Sequence, residues 1–537
     1  MKKIKFNLRN TLPIIISLVL IAGIYLGYKL APVSTYQHNF LSLRNDQYNK
    51  VNEIINYIEQ DYVDSVSRED MTEDAIAGIL EQLDPHSQYI PAQSYDEVNE
   101  HLMGNFEGIG VQFRIEEDTI LVILPIEGGP SEKVGILAGD RIVMINDTLV
   151  AGIGFTSNDA MKLLKGKKGT TVKVSIFRRG LPNLIDFTIT RDVIPTYSLD
   201  MAYMVNDSIG YIKLNKFAAT TYREFINAMK ELLDQGMQKL IFDLRGNAGG
   251  YLKSSIQIAD DFLEADKLIV YTEGKNRPRD YSYATKKGVF EQNELAVLID
   301  EGSASASEII AGAVQDNDRG TIIGRRSFGK GLVQEQLNLP DHSALRLTVA
   351  RYYTPTGRSI QRPYENGNEE YYTDFYERYI NGELTSADSI HFDDSLRYIT
   401  PGGKTVYGGG GIMPDIYIPV KMGDTAKYYN KLVRKGLIFR FAFKYADSRR
   451  QQLQQYDSPE YFIQSFKLND SVYKEFIIFA DEHGVPFDPN TTSQYEEKIK
   501  ILLKAYIARN LFDDDGFYPI YHTTDETFLK ALEILQQ

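Results

Sequence analysis

The chain has 537 residues, 43% hydrophobic and 25% charged, so it is long enough for three or four globular domains at ~150 residues each. Its 73 acidic and 59 basic residues give a formal charge of −14, which argues against a nucleic-acid-binding protein because such proteins need a basic surface. Cysteine is absent, and the 7 histidines form no H-E-x-x-H motif. Thiol nucleophiles, disulfides, cysteine-ligated zinc and zincin-type metalloproteases are therefore excluded.

The N-terminus combines a basic flank with an uncharged stretch. Residues 10–28 carry no charge and as a helix would reach about 28 Å, close to the ~30 Å thickness of the bilayer core. The flank predicts a cytoplasmic N-terminus and an exported body. A cleaved signal peptide is the alternative, although Lys29 stands where a small residue should precede the cleavage site. We predict that residues 1–31 form an inner-membrane anchor or signal segment, with the body in the periplasm or another extracytoplasmic space.

The next two segments differ in hydrophobic periodicity. Residues 32–98 are polar, with apolar residues at helical spacing, and predict a helical N-terminal region. Residues 99–196 change to short strands with Gly-rich turns. Two hairpins are predicted there, within 111–126 and 170–192, with one short helix at 157–164 between them.

The second half of the chain has a core pattern followed by an extension. In residues 197–420 strands and helices alternate, which predicts an α/β core with a mainly parallel sheet. Residues 421–537 are helical and rich in Tyr and Phe, without any catalytic signature. We interpret them as packing helices or an interaction surface.

Two loops at predicted strand ends carry candidate chemistry, since the sites of open α/β sheets lie where strand ends meet helix N-termini. In residues 243–250, DLRGNAGG, adjacent glycines let backbone N–H groups hold negative charge, although a tight strand-to-helix turn explains them equally. In residues 303–308, SASASE, a serine at a helix start would form its oxyanion near the positive end of the dipole. Serines are also common helix caps, so neither motif alone distinguishes a catalytic site from an ordinary turn or cap.

The segment 324–331, GRRSFGKG, has three interpretations. It has the G-x4-G-K spacing of a P-loop, but Gly331 replaces the Mg²⁺-binding Ser or Thr, and the residues that follow predict a strand. It also fits S-x-x-K from Ser327 to Lys330, without the S-D-N and K-T-G motifs that accompany that pattern. The third interpretation makes Lys330 the general base for a serine elsewhere.

Seven segments in order, within residues 45–420, resemble the C-terminal processing (tail-specific) serine peptidases. They are LDPHSQYI at 83–90, FEGIGVQF at 106–113, PSEKVGILAGDRIVMIN at 130–146, DLRGNAGGYL at 243–252, SASASEIIAGAVQDNDRGTIIGRRSFGKGLVQ at 303–334, LTVARYYTPTGRSIQ at 347–361 and GGGIMPD at 409–415. One departure is Ala248, where the family usually has proline, and it leaves both glycines intact. The resemblance implies a multi-domain α/β protein with a peptidase core, an inserted β-rich PDZ domain and helical terminal segments.

The resemblance implies Ser305 as nucleophile, Lys330 as its base and Gln334 as support for the lysine. Residue chemistry agrees, because a lysine acts as a base only when neutral, so burial must lower its pKa from ~10.4. A neutral Gln can orient the amine, whereas an Asp would favour the ammonium form. If the residues after Gly331 form a strand, Lys330 and Gln334 share one face.

The implied reaction is acyl transfer and needs no metal or organic cofactor. The serine would attack a peptide carbonyl and form an acyl-enzyme, while the lysine takes and returns the proton. The backbone N–H of Ala306 and one from Gly249 or Gly250 are the candidate oxyanion hole. We interpret Ser303 and Ser307 as capping or packing serines.

The β-rich segment resembles a PDZ domain. Gly108, Ile109, Gly110 and Val111 would form the loop that binds a terminal carboxylate, while the peptide tail adds as a strand. Ile109, Val111 and Phe113 alternate along the chain, so their side chains would line an apolar groove for the final residue of the bound tail. The implied partners are exported proteins with exposed apolar C-terminal tails, in addition to the membrane at the N-terminus. An adaptor and self-association stay open.

The remaining alternatives concern one motif and the function class. Residues 84–87, DPHS, place a histidine beside a serine, but adjacent residues rarely converge into a catalytic pair, so we predict a structural turn. The leading function is a membrane-anchored serine endopeptidase that cleaves exported proteins near their C-terminal tails. The alternative is a catalytically silent PDZ scaffold, which would not need a nucleophile, base and glutamine together. Nucleotide hydrolysis at 324–331 is a weaker third hypothesis.

Overall fold

The computed structural model describes most of the chain: residues 17–23, 49–286, 288–365, 367–421, 426–489 and 493–537. Most of the predicted N-terminal membrane segment lies outside these residues; within it, residues 17–23 are helical. Among the described residues, no helix combines the length and the apolar character that crossing a membrane requires.

The first compact unit covers residues 1–74 and contains helix α1, Lys50–Asp61, and the first turns of α2, Arg68–Glu81. The Asn49 side chain caps α1 by accepting a hydrogen bond from the Asn52 amide. The spacing of apolar residues predicted helices in this region, and both are present.

The second compact unit, residues 75–537, begins with the end of α2, followed by strand β1, Gln88–Ile90, and helix α3, Tyr95–Met103. A β-rich segment follows: β2 Asn105–Gly108, β3 Val111–Glu116, β4 Thr119–Pro125, α4 Pro130–Lys133, β5 Arg141–Ile145, β6 Thr148–Leu149, α5 Ser157–Leu164, β7 Thr171–Phe177, β8 Ile185–Thr190 and β9 Asp192–Pro195. Both predicted hairpins, β3–β4 and β7–β8, are confirmed, and α5 has the predicted bounds.

Strands β3 to β8 form an antiparallel sheet, which we call the small sheet. Its order is β3-β4-β5-β7-β8, with β6 paired to β5, whereas β2 and β9 form a separate ribbon. Strand β3 is therefore an edge strand of the small sheet. Thr156 and Asp159 form a reciprocal capping box that starts α5 beside this sheet.

The α/β core alternates strands and helices as predicted. Its elements are β10 Leu199–Met204, β11 Ile209–Leu214, α6 Thr221–Asp234, β12 Lys239–Asp243, α7 Leu252–Phe262, β13 Leu268–Gly274, β14 Arg277–Tyr283, β15 Glu294–Ile299, α8 Ala306–Asp316, β16 Thr321–Gly324, β17 Leu332–Asn338, β18 Ala344–Tyr353, α9 Asn368–Ile380, β19 Arg397–Ile399, β20 Thr405–Tyr407 and β21 Ile416–Tyr417. Six of these strands form what we call the core sheet, in the order β10-β11-β12-β15-β16-β21.

The expectation of a mainly parallel core describes only one of the two core sheets. In the core sheet, β10 pairs antiparallel with β11 and the other four pairs are parallel. A second sheet, built from β1, β13, β14, β17 and β18, is antiparallel throughout. The core is therefore mixed, because β17 and β18 pair with each other, and β18 also pairs with β1 and β13, rather than extend the core sheet.

The C-terminal extension is helical, as predicted. Its helices are α10 Lys427–Arg434, α11 Leu437–Ser448, α12 Arg450–Leu453, α13 Pro459–Ser465, α14 Asp470–Glu482, α15 Glu496–Tyr521 and α16 Glu526–Gln536. Gly436, at φ +64°, separates α10 from α11 in the left-handed conformation that glycine adopts without strain.

Both faces of the core sheet are buried, as its apolar strands require. On one face, residues such as Phe242 and Val297 pack with α6, α7 and α8. On the other face, residues such as Ile241 and Leu298 pack against the helices of the C-terminal extension. The carboxyl ends of β12, β15 and β16 meet at one edge, so the loops that follow these strands come together there.

Candidate active site

Ser305 begins helix α8 in a strained backbone conformation. Its φ and ψ are +53° and −110°, a region that non-glycine residues rarely occupy. Its N–H donates to Glu308 Oε2 at 2.8 Å, and its carbonyl accepts a hydrogen bond from the Tyr352 hydroxyl at 3.2 Å. Such strain persists only where neighbouring groups fix the backbone, which is a common feature of catalytic turns. The turn therefore holds the Ser305 side chain at a defined place in the cleft.

The two neighbouring serines have structural hydrogen bonds. Ser303 and Ser307 are fully buried. The Ser303 hydroxyl donates to the Leu244 carbonyl at 2.9 Å, and the Ser307 hydroxyl donates to the Asn247 carbonyl at 2.9 Å. Both serines thus tie the start of α8 to the loop after β12, which matches their interpretation as packing serines.

Lys330 lies two residues before the start of β17, and it lines the same cleft as Ser305. The amine donates to Gln334 Oε1 at 3.2 Å, so the two side chains lie together as predicted. A bulge between Val333 and Gln334 interrupts simple strand alternation. Burial lowers the pKa of Lys330 from its ordinary value, and the positive charge of Arg346 lowers this pKa further.

Glu308 connects the Ser305 turn to the Lys330 segment, and the sequence analysis assigned it no role. Its Oε2 accepts from the N–H groups of Ser305 and Lys330, both at 2.8 Å. Its Oε1 accepts from the Gly329 N–H at 2.7 Å and from the Ser327 hydroxyl at 2.5 Å. The side chain is fully buried, and burial raises the pKa of this carboxyl. One carboxylate therefore fixes both segments relative to each other.

The candidate oxyanion-hole residues lie against the Ser305 turn, with different roles for the two glycines. A Cβ on Gly249 would lie 2.9 Å from Ser305 Cβ, so only glycine allows this approach. The Gly249 N–H already donates to Asn247 Oδ1 at 2.9 Å. Among the described residues, the N–H groups of Ala306 and Gly250 donate no hydrogen bond to a backbone or side-chain acceptor. Ala306 and Gly250 are thus the amides that remain for an oxyanion.

All six catalytic and oxyanion-hole candidates line one cleft of about 1050 Å³. They are Gly249, Gly250, Ser305, Ala306, Lys330 and Gln334. Arg346 and Tyr352 also line it. Within the described part of the chain, no group of three or more His, Asp or Glu residues has the arrangement of a metal site.

The DPHS segment forms the structural turn that we predicted, and it also supports Gln334. Asp84 Oδ1 accepts from the N–H groups of His86 and Ser87, both at 2.9 Å. The Gln334 amide donates to the His86 carbonyl, which orients Gln334 towards Lys330. Burial, together with the charge of Lys330, lowers the pKa of His86 to about 4, so its ring is neutral at pH 7.

The structure argues against the two alternative interpretations of residues 324–331. Strand β17 follows this segment, whereas a P-loop must open a helix. The N–H groups of Gly329 and Lys330 bind the Glu308 carboxylate, so they are not directed at a phosphate site. Ser327 is fully buried and donates to Glu308, which makes it unsuitable as the nucleophile of an S-x-x-K site.

Four of the five predicted peptide-binding residues line a second, smaller cavity of about 330 Å³. Its apolar lining comes from β3, the loop before it and α5, and includes Ile109, Val111, Phe113, Met161 and Leu164. Gly110 lines it with φ +72°, a conformation that favours glycine in the loop before β3. Gly108 is not among the lining residues, because it pairs with Asp192 at the end of β2. The groove opens along the edge strand, where a peptide can add to the small sheet.

Comparison with known families agrees with this arrangement. The model of peptidase family S41 matches residues 208–366, and a PDZ domain model matches residues 108–189. The N-terminal domain of the activating protease CtpB matches residues 22–94. A family of unknown function matches residues 428–513, within the C-terminal extension.

Several carboxy-terminal processing proteases are similar to this chain over most of their length. That of Bartonella bacilliformis is 35% identical over 64% of this chain and 79% of the relative. CtpB of Bacillus subtilis is 34% identical over 64% of this chain and 72% of the relative. The solved photosystem II D1 C-terminal processing protease is 27% identical, with a TM-score of 0.36, over 69% of this chain and 86% of that one. The chain therefore belongs to the carboxy-terminal processing protease family, whose members are serine-type peptidases of family S41 with a PDZ domain.

Proposed function

We propose that Ser305 is the nucleophile and Lys330 the general base of an endopeptidase that cleaves exported proteins near their C-terminal tails. The observation that carries this proposal is that Lys330, a partly buried lysine whose pKa is lowered by desolvation, lines the same cleft as Ser305. Gln334 supports it as a neutral hydrogen-bond acceptor for the amine. In this proposal residues 1–31 anchor the exported body, which membrane fractionation with and without these residues tests.

The proposed reaction has two acyl-transfer steps. Neutral Lys330 takes the hydroxyl proton while Ser305 Oγ bonds to the scissile carbonyl carbon and the carbonyl electron pair moves to oxygen. The lysine then gives the proton to the amine as the C–N bond breaks, which leaves an ester on Ser305. Water adds to the ester with Lys330 again as base, and the proton returns to Oγ as the acid leaves.

The developing negative charge needs donors that are already in place. The N–H groups of Ala306 and Gly250 are the proposed pair, since the Gly249 N–H is engaged with Asn247. Ala306 also stands at the first position of α8, where the positive end of the helix dipole favours an anion. Gly249 then serves a different purpose, because its missing side chain lets the loop approach Ser305.

A serine-directed fluorophosphonate is expected to label Ser305 alone. The reagent reacts with a hydroxyl that is activated by a base, and Ser303, Ser307 and Ser327 are buried in hydrogen bonds to other groups. Peptide mapping by mass spectrometry locates the adduct, with Lys330→Ala as the control that should not react. An adduct on one of the other three serines would contradict the assignment of the nucleophile.

We expect that amidation of the C-terminus of a peptide reporter with an apolar tail raises KM by about 10-fold. Amidation removes the terminal carboxylate, and with it the charge-assisted hydrogen bonds to the loop before β3. The measurement compares cleavage of free-acid and amidated reporters that end in the same apolar tail. A reporter with a polar tail is the control and should respond little to amidation. Met161→Glu, which places a negative charge in the groove, should reduce the advantage of the free acid. Equal KM values for both apolar reporters would refute tail capture at this groove.

The value of kcat/KM is expected to rise with pH as Lys330 loses its proton, with a midpoint below the ordinary lysine pKa of 10.5. The sign follows because only the neutral amine accepts the Ser305 proton. Arg346→Met removes a positive charge that lowers this pKa, so the midpoint should move to higher pH. Arg346→Lys keeps the charge and is the matched control. A rate that falls with rising pH below 10 would rule out a lysine base.

A further inference from the structure

One helix of the C-terminal extension contacts both the core sheet and the PDZ domain. Part of α11 is buried in the apolar core that the extension shares with the core sheet, through Leu437, Ile438, Phe441 and Ala442. Other residues of the same helix contact the small sheet. A rigid helix with two packed surfaces can fix the distance between the elements it contacts.

The main contact is made with strand β3. The Arg114 guanidinium lies over the rings of Phe439 and Phe443, at 5.0 and 4.8 Å from their centroids. Glu116, two residues further along β3, pairs with Arg114 at 3.2 Å and with Arg440 at 3.5 Å. Stacking of a planar guanidinium on aromatic faces and a shared carboxylate give this contact both shape and charge complementarity.

A second contact lies at the C-terminal end of the helix. Arg179, which follows β7, pairs with Asp447 at 3.3 Å, and the Asp447 side chain is only 9% exposed. A Cβ on Gly139 would lie within 3 Å of side-chain atoms of Asp447 and Arg450, so the two surfaces approach closely here. Two separate contacts along one helix restrain rotation of the small sheet as well as its distance from the core.

Strand β3 has a double role in this arrangement. Val111 and Phe113 line the peptide groove, whereas Arg114 and Glu116 contact the extension. The strand to which a tail would add is therefore also the strand that α11 holds.

We propose that the C-terminal extension is a clasp, formed by α11 on Arg114 and Glu116, that fixes the tail-binding groove relative to the catalytic cleft. This inference rests on the proposed tail capture and assigns a task to the segment that matches a family of unknown function. A captured tail would then present the upstream peptide bond at a constant distance from the cleft, which raises its local concentration there. Without the clasp, the groove and the cleft remain but their relative position is lost.

Charge reversal at Glu116 and Arg440 tests the clasp. The measured quantity is the ratio of kcat/KM for the free-acid reporter to that for the amidated reporter. Glu116→Arg and Arg440→Glu should each lower this ratio at least three-fold, with little change for the amidated reporter. The double variant restores opposite charges and should recover most of the ratio. If the wild type prefers the free-acid reporter, single variants that leave the ratio unchanged, or a double variant no better than the single ones, would overturn the proposal.

A second readout does not depend on proteolysis. Because the chain has no cysteine, Arg179→Cys with Asp447→Cys gives one defined pair for a short bismaleimide cross-linker. Intramolecular cross-linking should be fast with native Glu116 and Arg440, at least three-fold slower with Glu116→Arg, and restored when Arg440→Glu is added. A cross-linking rate that does not change with the charges at positions 116 and 440 would refute the clasp. If the reporters show no tail preference while cross-linking responds as expected, tail capture fails and the clasp stands.

Discussion

Ser305→Ala, Lys330→Ala and the double variant are expected to share one residual rate, at least ~10³-fold below the wild-type kcat. Nucleophile and base act as one unit, so loss of either removes the same acyl-enzyme route, and loss of both removes nothing more. The residual rate reflects substrate binding and the oxyanion donors. The measurement is single-turnover cleavage of the free-acid, apolar-tailed reporter by all three variants.

Two substitutions distinguish a lysine base from a fixed positive charge at position 330 and from a histidine base. Lys330→Arg keeps a positive charge but not a neutral amine, because the guanidinium pKa is above 12, so it should be as inactive as Lys330→Ala. His86→Ala should keep most of the activity, since Gln334 is held by the His86 carbonyl and not by its ring. Binding of a fluorescent tail peptide should be unchanged in each variant, which controls for folding. Activity in Lys330→Arg, or a loss in His86→Ala equal to that in Ser305→Ala, would contradict this mechanism.

Local signals predicted the elements that carry the nucleophile. Helix α8, Ala306–Asp316, begins at the predicted serine loop, because a strand of buried residues, a small-residue loop and an apolar helix follow one another without competing signals. The order of the motifs brought Ser305, Lys330 and Gln334 into one prediction, and the structure places all three in one cleft. Their catalytic roles remain proposals for the experiments above.

The second, antiparallel sheet, which contains β1, β13, β14, β17 and β18, was not predicted, and the reason is physical. Strand β18 pairs with β1, which lies more than 250 residues earlier, and with β13. Pairing between distant strands leaves no periodic trace in either strand, so the alternation of strands and helices suggested one mainly parallel sheet. The same limit applies to the Gly249 amide, whose bond to Asn247 depends on the turn geometry and not on the residue types.

Glu308 shows the same limit within the SASASE motif at 303–308. In the sequence it appears as the acidic residue of the first turn of a helix, where a carboxylate is ordinary. Its partners Gly329 and Lys330 lie about 20 residues away, so only the fold shows that it joins the two candidate catalytic segments. A buried acid with four donors is a sign of such a role, and burial is visible only in three dimensions.

Glu308→Gln is expected to lower kcat by about 10²-fold, with a smaller effect on KM, although the side chain does not touch substrate. A Gln has one carbonyl oxygen, so its NH₂ group must face donors where a carboxylate oxygen stood, and at least one backbone N–H loses its acceptor. Each buried donor left without a partner costs about 1–3 kcal/mol, and small displacements of a nucleophile from its base cost ~10²-fold in rate. The measurements are kcat, KM and the rate of fluorophosphonate labelling at Ser305.

The control for this positioning role is Glu301, in the loop between β15 and α8. Glu301 pairs with Arg325 at 2.6 Å and, among the described residues, forms no ion pair or hydrogen bond with Ser305 or Lys330, so Glu301→Gln should keep kcat within a few-fold of wild type. Glu308→Gln should also slow labelling of Ser305 while tail-peptide binding stays normal, since a global loss of folding would abolish both. If Glu308→Gln labels and turns over as the wild type does, the carboxylate does not set the geometry of the Ser305 and Lys330 segments, and their relative position must be fixed by the packing of α8 and β17 alone.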